Sequence, residues 1–239
     1  MKTTVIIPTY NERENVVDLI SLILALPHDL RLIVVDDGSP DGTGRVADQV
    51  AAQEARLTVV HREGKLGLGT AYLAGFRCAL AGGATHMMTM DADFSHHPRY
   101  IPDLLRLGER YDLVIGSRYV PGGGTRHWHW QRVLLSWSAN QVAKHGLGLR
   151  PRDCTAGFRL YRRAVLESID LESIFSDGYS FLLEMLYHVQ HGHWQIGETP
   201  ILFADRQRGA SKISKQEIVK AAYTVLRLRA MGAGRRLAG

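Results

Sequence analysis

Apolar and polar positions alternate along the first half of the chain in two rhythms. Short β-branched runs at residues 4–8, 32–36, 57–61, 87–91 and 113–116 read as strands. Between the first two, Val16, Leu19, Ile20, Ile23 and Leu24 recur at helical spacing, and residues 67–80 and 98–110 carry similar patterns. Strands alternating with helices predict an α/β domain, its mostly parallel central sheet flanked by helices. The rhythm changes after Gly116, where Gly122, Gly123 and Gly124 lead into a stretch rich in His, Trp and Arg. Beyond it, residues 155–161 and 199–203 read as strands and residues 179–191 and 214–229 as helices, without internal repeats.

Length and composition narrow this picture. The 239 residues suit one sizeable core better than two equal domains, and 45% apolar with 22% charged residues is ordinary globular composition. A formal net charge of +5 favours anionic partners without choosing among nucleotides, phospholipid surfaces and nucleic acid. Cys78 and Cys154 stand in unrelated contexts, which excludes a disulfide framework and fits a reducing, cytoplasmic compartment. The first apolar run is broken by Pro8 and the polar Asn11, Glu12, Arg13 and Glu14 and is too short for a secretory signal. The longest apolar stretch, residues 19–27, falls well below the roughly 20 residues that span a bilayer, so any membrane contact is expected to be peripheral.

In an open α/β sheet, ligands bind beyond the carboxyl ends of the strands. Those ends carry Pro8, Thr9, Tyr10, Asn11 and Glu12; Asp36, Asp37, Gly38 and Ser39; Asp91, Ala92 and Asp93; and Gly116, Ser117 and Arg118. No glycine-rich turn follows the first strand and no Gly-Lys-Ser/Thr loop is present, which argues against a classical NAD site and a P-loop nucleotidase. Asp91 and Asp93 could bridge a hard divalent cation to a diphosphate, or could simply be a solvated strand end. Two acidic pairs without evident partners at adjacent strand ends favour the first reading.

Taken in order, Val-Ile-Ile-Pro-Thr-Tyr-Asn-Glu, Val-Val-Asp-Asp-Gly-Ser-Pro-Asp-Gly-Thr and Met-Asp-Ala-Asp-Phe-Ser-His-His-Pro resemble the inverting family-two glycosyltransferases of the GT-A fold. The segments beginning at Lys65, Gly116, Asp153 and Asp205 are similar to those of the dolichol- or polyprenol-phosphate mannose synthases, so the likeness runs almost end to end. It implies transfer of mannose from GDP-mannose to a polyprenyl or dolichyl phosphate, with inversion and with Mg²⁺ or Mn²⁺. By the same resemblance Pro8, Tyr10, Glu12, Asp37, Asp91, Arg206 and Lys212 face the donor nucleotide, and Asp91 and Asp93 hold the metal. Arg118, Arg132 and Ser136 hold the acceptor phosphate, and Asp91, Asp93 and Arg118 are the catalytic set. Ser95 stands where some relatives place a glutamine near the metal.

The expected layout is a glycosyltransferase domain over residues 1–230. It divides into a nucleotide-binding half to 116, an acceptor half with a mobile loop at 117–212 and a C-terminal helix at 213–230, followed by a basic tail at 231–239. The expected partners are a nucleotide sugar, a polyprenyl phosphate, the cytoplasmic face of a membrane and a separate membrane-anchor subunit, with no nucleic acid.

Elementary chemistry agrees with a phosphate acceptor. A phosphate monoester has its second pKa near 6, roughly a unit below neutral pH, so the nucleophile is already ionised and no strong general base is needed. What such a site needs is a guanidinium clamp. A hydroxyl acceptor would need a base, and Glu184 is the carboxylate to suspect under that rival reading, unless it forms a buried structural pair. Arg206, Arg208 and Lys212 around Gly209 suit a loop closing over a diphosphate, or an ordinary basic surface loop. Val133, Leu134, Leu135 and Trp137 after Trp128 and Trp130 suit an interfacial helix, a core helix or a partner surface. At the C-terminus, Ile218, Val219, Ala222, Val225 and Leu226 form one apolar face flanked by basic residues, a candidate surface-bound helix. UDP-glucose as donor and a non-catalytic membrane adaptor are the rival functions.

Overall fold

A computed structural model describes residues 1–126, 128–204 and 215–237, the side chains of 215–219 and 232–237 excepted. Its elements in chain order are β1 (Thr3–Thr9), α1 (Arg13–Leu24), β2 (Leu30–Asp36), α2 (Thr43–Ala51), β3 (Leu57–His61), α3 (Leu68–Ala81) and β4 (His86–Thr89). A 3₁₀ turn at Pro98–Tyr100 leads into α4 (Ile101–Gly108), β5 (Leu113–Ser117), β6 (Gly124–Arg126), α5 (Trp130–Leu147), β7 (Arg159–Arg162) and α6 (Arg163–Glu167). The chain continues through α7 (Tyr179–His191), β8 (Ile196–Pro200), β9 (Leu202–Ala204) and α8 (Lys215–Leu237).

The main sheet has the order β3-β2-β1-β4-β7-β5-β8, and β6 pairs with β9 in a small parallel ribbon. The β-branched runs form strands because both sides of the sheet are covered. Val5, Ile7, Leu32 and Val34 enter one core with Val16, Leu19, Ile20 and Ile23 of α1 and Leu104 of α4. The alternate residues Ile6, Ile33 and Val35 enter the other, with Tyr72 and Phe76 of α3 and Phe181, Met185 and Leu186 of α7. The two-residue period of a strand thus builds two cores from one sequence run. Gly75 lets α3 lie close to β1, since a Cβ there would overlap the Ile6 side chain.

One direction differs from expectation. The sheet is mixed, because β7 runs antiparallel to both β4 and β5. After β5 the chain passes through β6 and α5, whose end meets Gln190 near the end of α7, and the 151–158 connection then returns to Arg118 at the carboxyl end of the sheet, from which the chain re-enters it. There the Gly116 N–H donates to the Phe158 carbonyl at 2.8 Å and the Thr89 hydroxyl to that of Gly157 at 2.6 Å. A strand entered at the carboxyl end must run backwards. It is also shorter than the expected 155–161, since residues 154–158 are spent on that connection.

The C-terminal helix differs too. α8 extends to Leu237, past the expected end at 229 and into the stretch expected as a tail. Its packed side is Ala221, Thr224, Val225 and Leu228, while Ala222 and Leu226 are exposed. The expected apolar face is therefore rotated, since the groove between α5 and α7 chooses which stripe is covered. Cys78 and Cys154 are both free thiols, and burial pushes the Cys154 thiol up to about 12, which leaves it inert at neutral pH.

Candidate active site

The carboxyl ends of β1, β2, β4 and β5 do share one side of the molecule, as the parallel order requires. Asp36 ends β2 and is fully engaged, accepting from the Thr9 hydroxyl at 3.0 Å and from the Ser39 hydroxyl and N–H at 2.5 and 3.1 Å. Asp37 accepts from Arg62 at 2.7 Å and from the N–H groups of Leu66 and Gly67 at 3.1 and 3.2 Å. The first acidic pair is therefore partnered, contrary to the sequence expectation. Burial raises the Asp37 carboxyl above its ordinary value, against the opposing pull of Arg62 and the two N–H groups.

Through these bonds Asp37 fixes the 62–67 connection, which sets the Lys65 ammonium 4.4 Å from the centre of the Tyr10 ring. Glu12 accepts from the Asn15 amide at 2.8 Å while its own N–H donates to the Thr43 hydroxyl at 2.9 Å. Asn11 before it adopts a left-handed φ of 61°, so the chain turns sharply just past Pro8 and Tyr10. Pro8, Tyr10, Glu12 and Asp37 thus lie together around the ends of β1 and β2.

Asp91 and Asp93 follow β4 on either side of the buried Ala92. The Asp91 side chain is 31% exposed, and its Oδ1 accepts from the Tyr72 hydroxyl at 3.2 Å. Its Oδ2 lies 3.5 Å from His96 Nδ1, but that nitrogen accepts the Asp91 backbone N–H at 3.1 Å. With its lone pair so used, Nδ1 has no proton to share with the carboxylate, and the proximity is not an ion pair. Asp93 is buried, and its Oδ1 accepts from the Ser95 N–H and hydroxyl at 3.0 and 2.5 Å. Ser95 therefore turns its hydroxyl to Asp93 as a donor.

Among the described residues no third His, Cys, Asp or Glu joins these carboxylates as a metal cluster. A divalent ion here would take its remaining ligands from phosphate oxygens and water, the usual habit of Mg²⁺ held by one or two carboxylates. The donor set fits such a substrate-bridged ion, because both groups are hard oxygen donors and Asp91 is reachable from solvent.

Arg118 leaves the end of β5 for the interior. Its Nε and Nη2 donate to the two Asp153 oxygens at 2.8 and 2.7 Å, its backbone N–H to Asp153 Oδ2 at 3.0 Å, and Nη2 also to the Thr155 hydroxyl at 2.7 Å. This is a buried forked pair. Burial opposes the Arg118 charge, yet Asp153 outweighs it and raises the guanidinium still further above its ordinary range. Burial likewise opposes the Asp153 charge, and Arg118 outweighs it, holding the carboxyl below its ordinary range.

Arg118 and Arg132 both lie over the Trp128 ring, 5.9 and 4.1 Å from its centre. The Ser136 hydroxyl is 2.9 Å from that of Tyr119 and ties α5 to the residue after Arg118. Phe203 packs edge-on against both His96 and Trp128 at 5.3 and 5.4 Å, and Arg118 is 5.5 Å from it. His96 in turn stacks on Phe158 at 5.1 Å. The acidic pair and the arginine pair are thus linked through two aromatic rings and one loop.

The Glycosyl transferase family 2 profile matches residues 4–170. The chain belongs to this family. It is 46% identical to the polyprenol monophosphomannose synthase of Mycolicibacterium smegmatis over 226 residues, 94% of this chain and 85% of that protein. It is 42% identical to the undecaprenyl-phosphate mannosyltransferase of Micrococcus luteus over 227 residues, 95% and 93% of the two chains. Solved structures share its fold at lower identity. The mannosyl-3-phosphoglycerate synthase of Rubrobacter xylanophilus superposes with a TM-score of 0.71 at 19% identity, over 100% of this chain and 76% of that one. The glucosyl-3-phosphoglycerate synthase of Mycobacterium tuberculosis, in complex with Mn²⁺, UDP and glucosyl-3-phosphoglycerate, gives 0.66 at 20% over 95% and 79%.

For this glycosyltransferase, two further sequence expectations meet the geometry. Glu184 is wholly buried and accepts from the N–H groups of Phe175 and Ser176 at 3.3 and 2.8 Å, so it is a structural carboxylate that braces the loop before α7. Leu134, Leu135 and Trp137 are exposed, which rules out the core reading for that stretch of α5, while Ala143 and Leu147 further along the helix enter the core. Arg206, Arg208, Lys212 and the segment around them, with His127, lie outside the described residues. Asp153, Thr155, Tyr72 and Arg62 had no role in the sequence reading. For Asp153 and Thr155 the available signal was their place in the Asp-Cys-Thr-Ala-Gly-Phe-Arg segment.

Proposed function

We propose that the chain is a GT-A enzyme that transfers mannose from GDP-mannose to a polyprenyl phosphate at a membrane surface, inverting the anomeric centre. The observation that carries this reading is identity of 46% and 42%, over 94% and 95% of the chain, with two mannose enzymes named for polyprenol and undecaprenyl phosphates. The geometry supports it, since a cluster of two arginines on aromatic rings sits beside an acidic strand end. Residues 1–116 form the donor half and 117–212 the acceptor half.

Pro8, Tyr10, Glu12 and Asp37 hold the nucleoside, together with Arg206 and Lys212. Asp91 and Asp93 are the residues that would hold Mg²⁺ or Mn²⁺, which when bound neutralises charge on the departing diphosphate. Arg118 has its Nε and Nη2 bound to Asp153 and Thr155, which leaves Nη1 for the acceptor phosphate. Arg132 and Ser136 complete that clamp. A lipid phosphate so held attacks the anomeric carbon without surrendering a proton, so these side chains act by orientation and charge. Glu184, occupied by backbone N–H groups, has no part in it.

The exposed apolar residues Trp130, Leu134, Leu135, Trp137 and Val142 of α5 suit the headgroup layer, and they lie on the helix that carries Arg132 and Ser136. Among the described residues no helix is long and apolar enough to cross a membrane.

The test offers purified enzyme labelled nucleotide sugars, a short polyprenyl phosphate and detergent, with Mg²⁺, Mn²⁺ or chelator, and follows label into the organic phase. GDP-mannose is expected to label lipid only with metal, and Asp93→Ala to abolish the transfer. Arg132→Ala should raise the KM for lipid phosphate roughly 10- to 100-fold, the worth of a charged hydrogen bond, with nucleotide binding unchanged. Label from UDP-glucose alone would refute mannose, and no transfer under any condition would favour the adaptor.

A further inference from the structure

The Trp128 indole is an unusual neighbour for a phosphate clamp. Its ring lies beneath two guanidinium groups, and its Nε1–H is buried with no hydrogen-bond partner among the described residues. An indole nitrogen can only donate, and a buried donor left unmade is a standing cost, so it calls for an explanation. Phe203 stands at 76° to the indole, 5.4 Å between ring centres, and its side chain offers at most a weak aromatic face in place of an oxygen or nitrogen acceptor. The His96 ring, on the other side of Phe203, has its Nε2 in the same condition. The unmet donors therefore cluster about the residue that joins the acidic pair to the arginine pair.

Trp128 stands on the connection between β6 and α5, outside both elements. It can turn there without breaking a ladder or helix hydrogen bond. Arg118 and Arg132 over its face draw anions to this point, and a phosphate dianion is a far stronger acceptor than any neutral group nearby.

We propose that Trp128 is a third acceptor-binding residue, whose indole N–H becomes hydrogen-bonded to the acceptor phosphate once that anion lies between Arg118 and Arg132. The assignment rests on the reading of the chain as a polyprenyl-phosphate glycosyltransferase. The N–H is covered by its surroundings, so binding requires the ring, or the Arg132 side chain 4.1 Å above it, to shift. The indole face holds the two like charges near each other, and its edge supplies the donor.

Two variants separate these contributions: Trp128→Phe keeps an aromatic face and loses the N–H, whereas Trp128→Leu loses both. Each is assayed for transfer to farnesyl phosphate, for GDP binding by titration calorimetry, and for folding by circular dichroism. Trp128→Phe is expected to raise the KM for farnesyl phosphate about 10-fold, and Trp128→Leu further, with GDP affinity and the folded signal those of the wild type. A wild-type KM in Trp128→Phe overturns the donor role, whatever Trp128→Leu does, and so does an equal loss of GDP affinity. Should wild-type enzyme itself transfer nothing to farnesyl or longer prenyl phosphates, the proposed function falls and this assignment with it. Activity in the wild type with an unchanged Trp128→Phe sinks only the assignment.

Discussion

Asp153→Ala is the substitution whose consequence follows most directly from the geometry. The Asp153 side chain is wholly buried and that of Arg118 only 8% exposed, so neither charge is relieved by solvent. Removing the carboxylate strips Arg118 of both side-chain bonds to Asp153 and of the backbone bond, and leaves Nη2 with Thr155 alone. Breaking a buried pair from one side costs about 3–5 kcal/mol, because the surviving ion keeps its burial and loses its compensation. For a chain of this size that is a fall in Tm of roughly 6–20 °C. Urea unfolding followed by circular dichroism measures it, and Asp153→Asn, which keeps the shape and one acceptor, should fall between the two.

The pH dependence has a definite sign. The folded Asp153 carboxyl sits below its unfolded value, so the pair's stabilisation is fully present above about pH 4, the ordinary carboxylate value, and fades as pH falls through the lower folded one. The stability gap between wild type and Asp153→Asn should therefore hold steady from about pH 5 to 8 and close in acid. A loss under about 1 kcal/mol for Asp153→Ala, or a gap that persists unchanged into acid, would refute the argument that this pair anchors Arg118.

Two other substitutions probe separate parts of the molecule. Glu184→Gln keeps one acceptor for the Phe175 and Ser176 N–H groups, so it should destabilise by about 1–3 kcal/mol in urea while turnover per folded molecule stays within about two-fold. A hundred-fold drop in kcat would instead restore Glu184 as a base. Replacing Trp130, Leu134 and Trp137 together by Ser should cut sedimentation with anionic vesicles by roughly ten-fold per residue, with soluble-acceptor activity retained; unchanged sedimentation would remove α5 from the membrane.

Most strands were legible because burial on both faces demands unbroken β-branched runs, and Val5–Ile7 or Leu32–Val35 can hardly be anything else. The helix α2 was missed for the opposite reason. Only Thr43, Gly44 and Ala47 of it are buried, so no apolar stripe marks it. The direction of β7 could not be read at all, since Leu160 and Tyr161 would face the two cores alternately whichever way the strand ran. Direction is a property of the connections. On α8, the apolar residues Val225 and Leu226 lie side by side, and only the neighbouring α5 and α7 decide that Val225 goes inside.

Within the site, legibility followed sequence distance. Asp91, Asp93, Tyr10 and Glu12 stand in short local patterns, and the parallel strand order carries them to one end. Partners across the chain left no such trace, as with Arg118 and Asp153, 35 positions apart, and Asp37 and Arg62, 25 apart. The omission changes the chemistry. Read alone, Arg118 is a mobile cation able to offer every N–H to a phosphate; bound to Asp153 and Thr155, it is a fixed one that offers a single edge. A fixed donor loses little freedom when ligand arrives, so on the proposed reading the carboxylate that pairs with Arg118 also preorganises it. Arg132, half-buried on α5, rests on the Trp128 ring beside it. On the proposed reading, the acid-anchored Arg118 sets where the phosphate sits, and Arg132 with Trp128 closes the other side of the clamp.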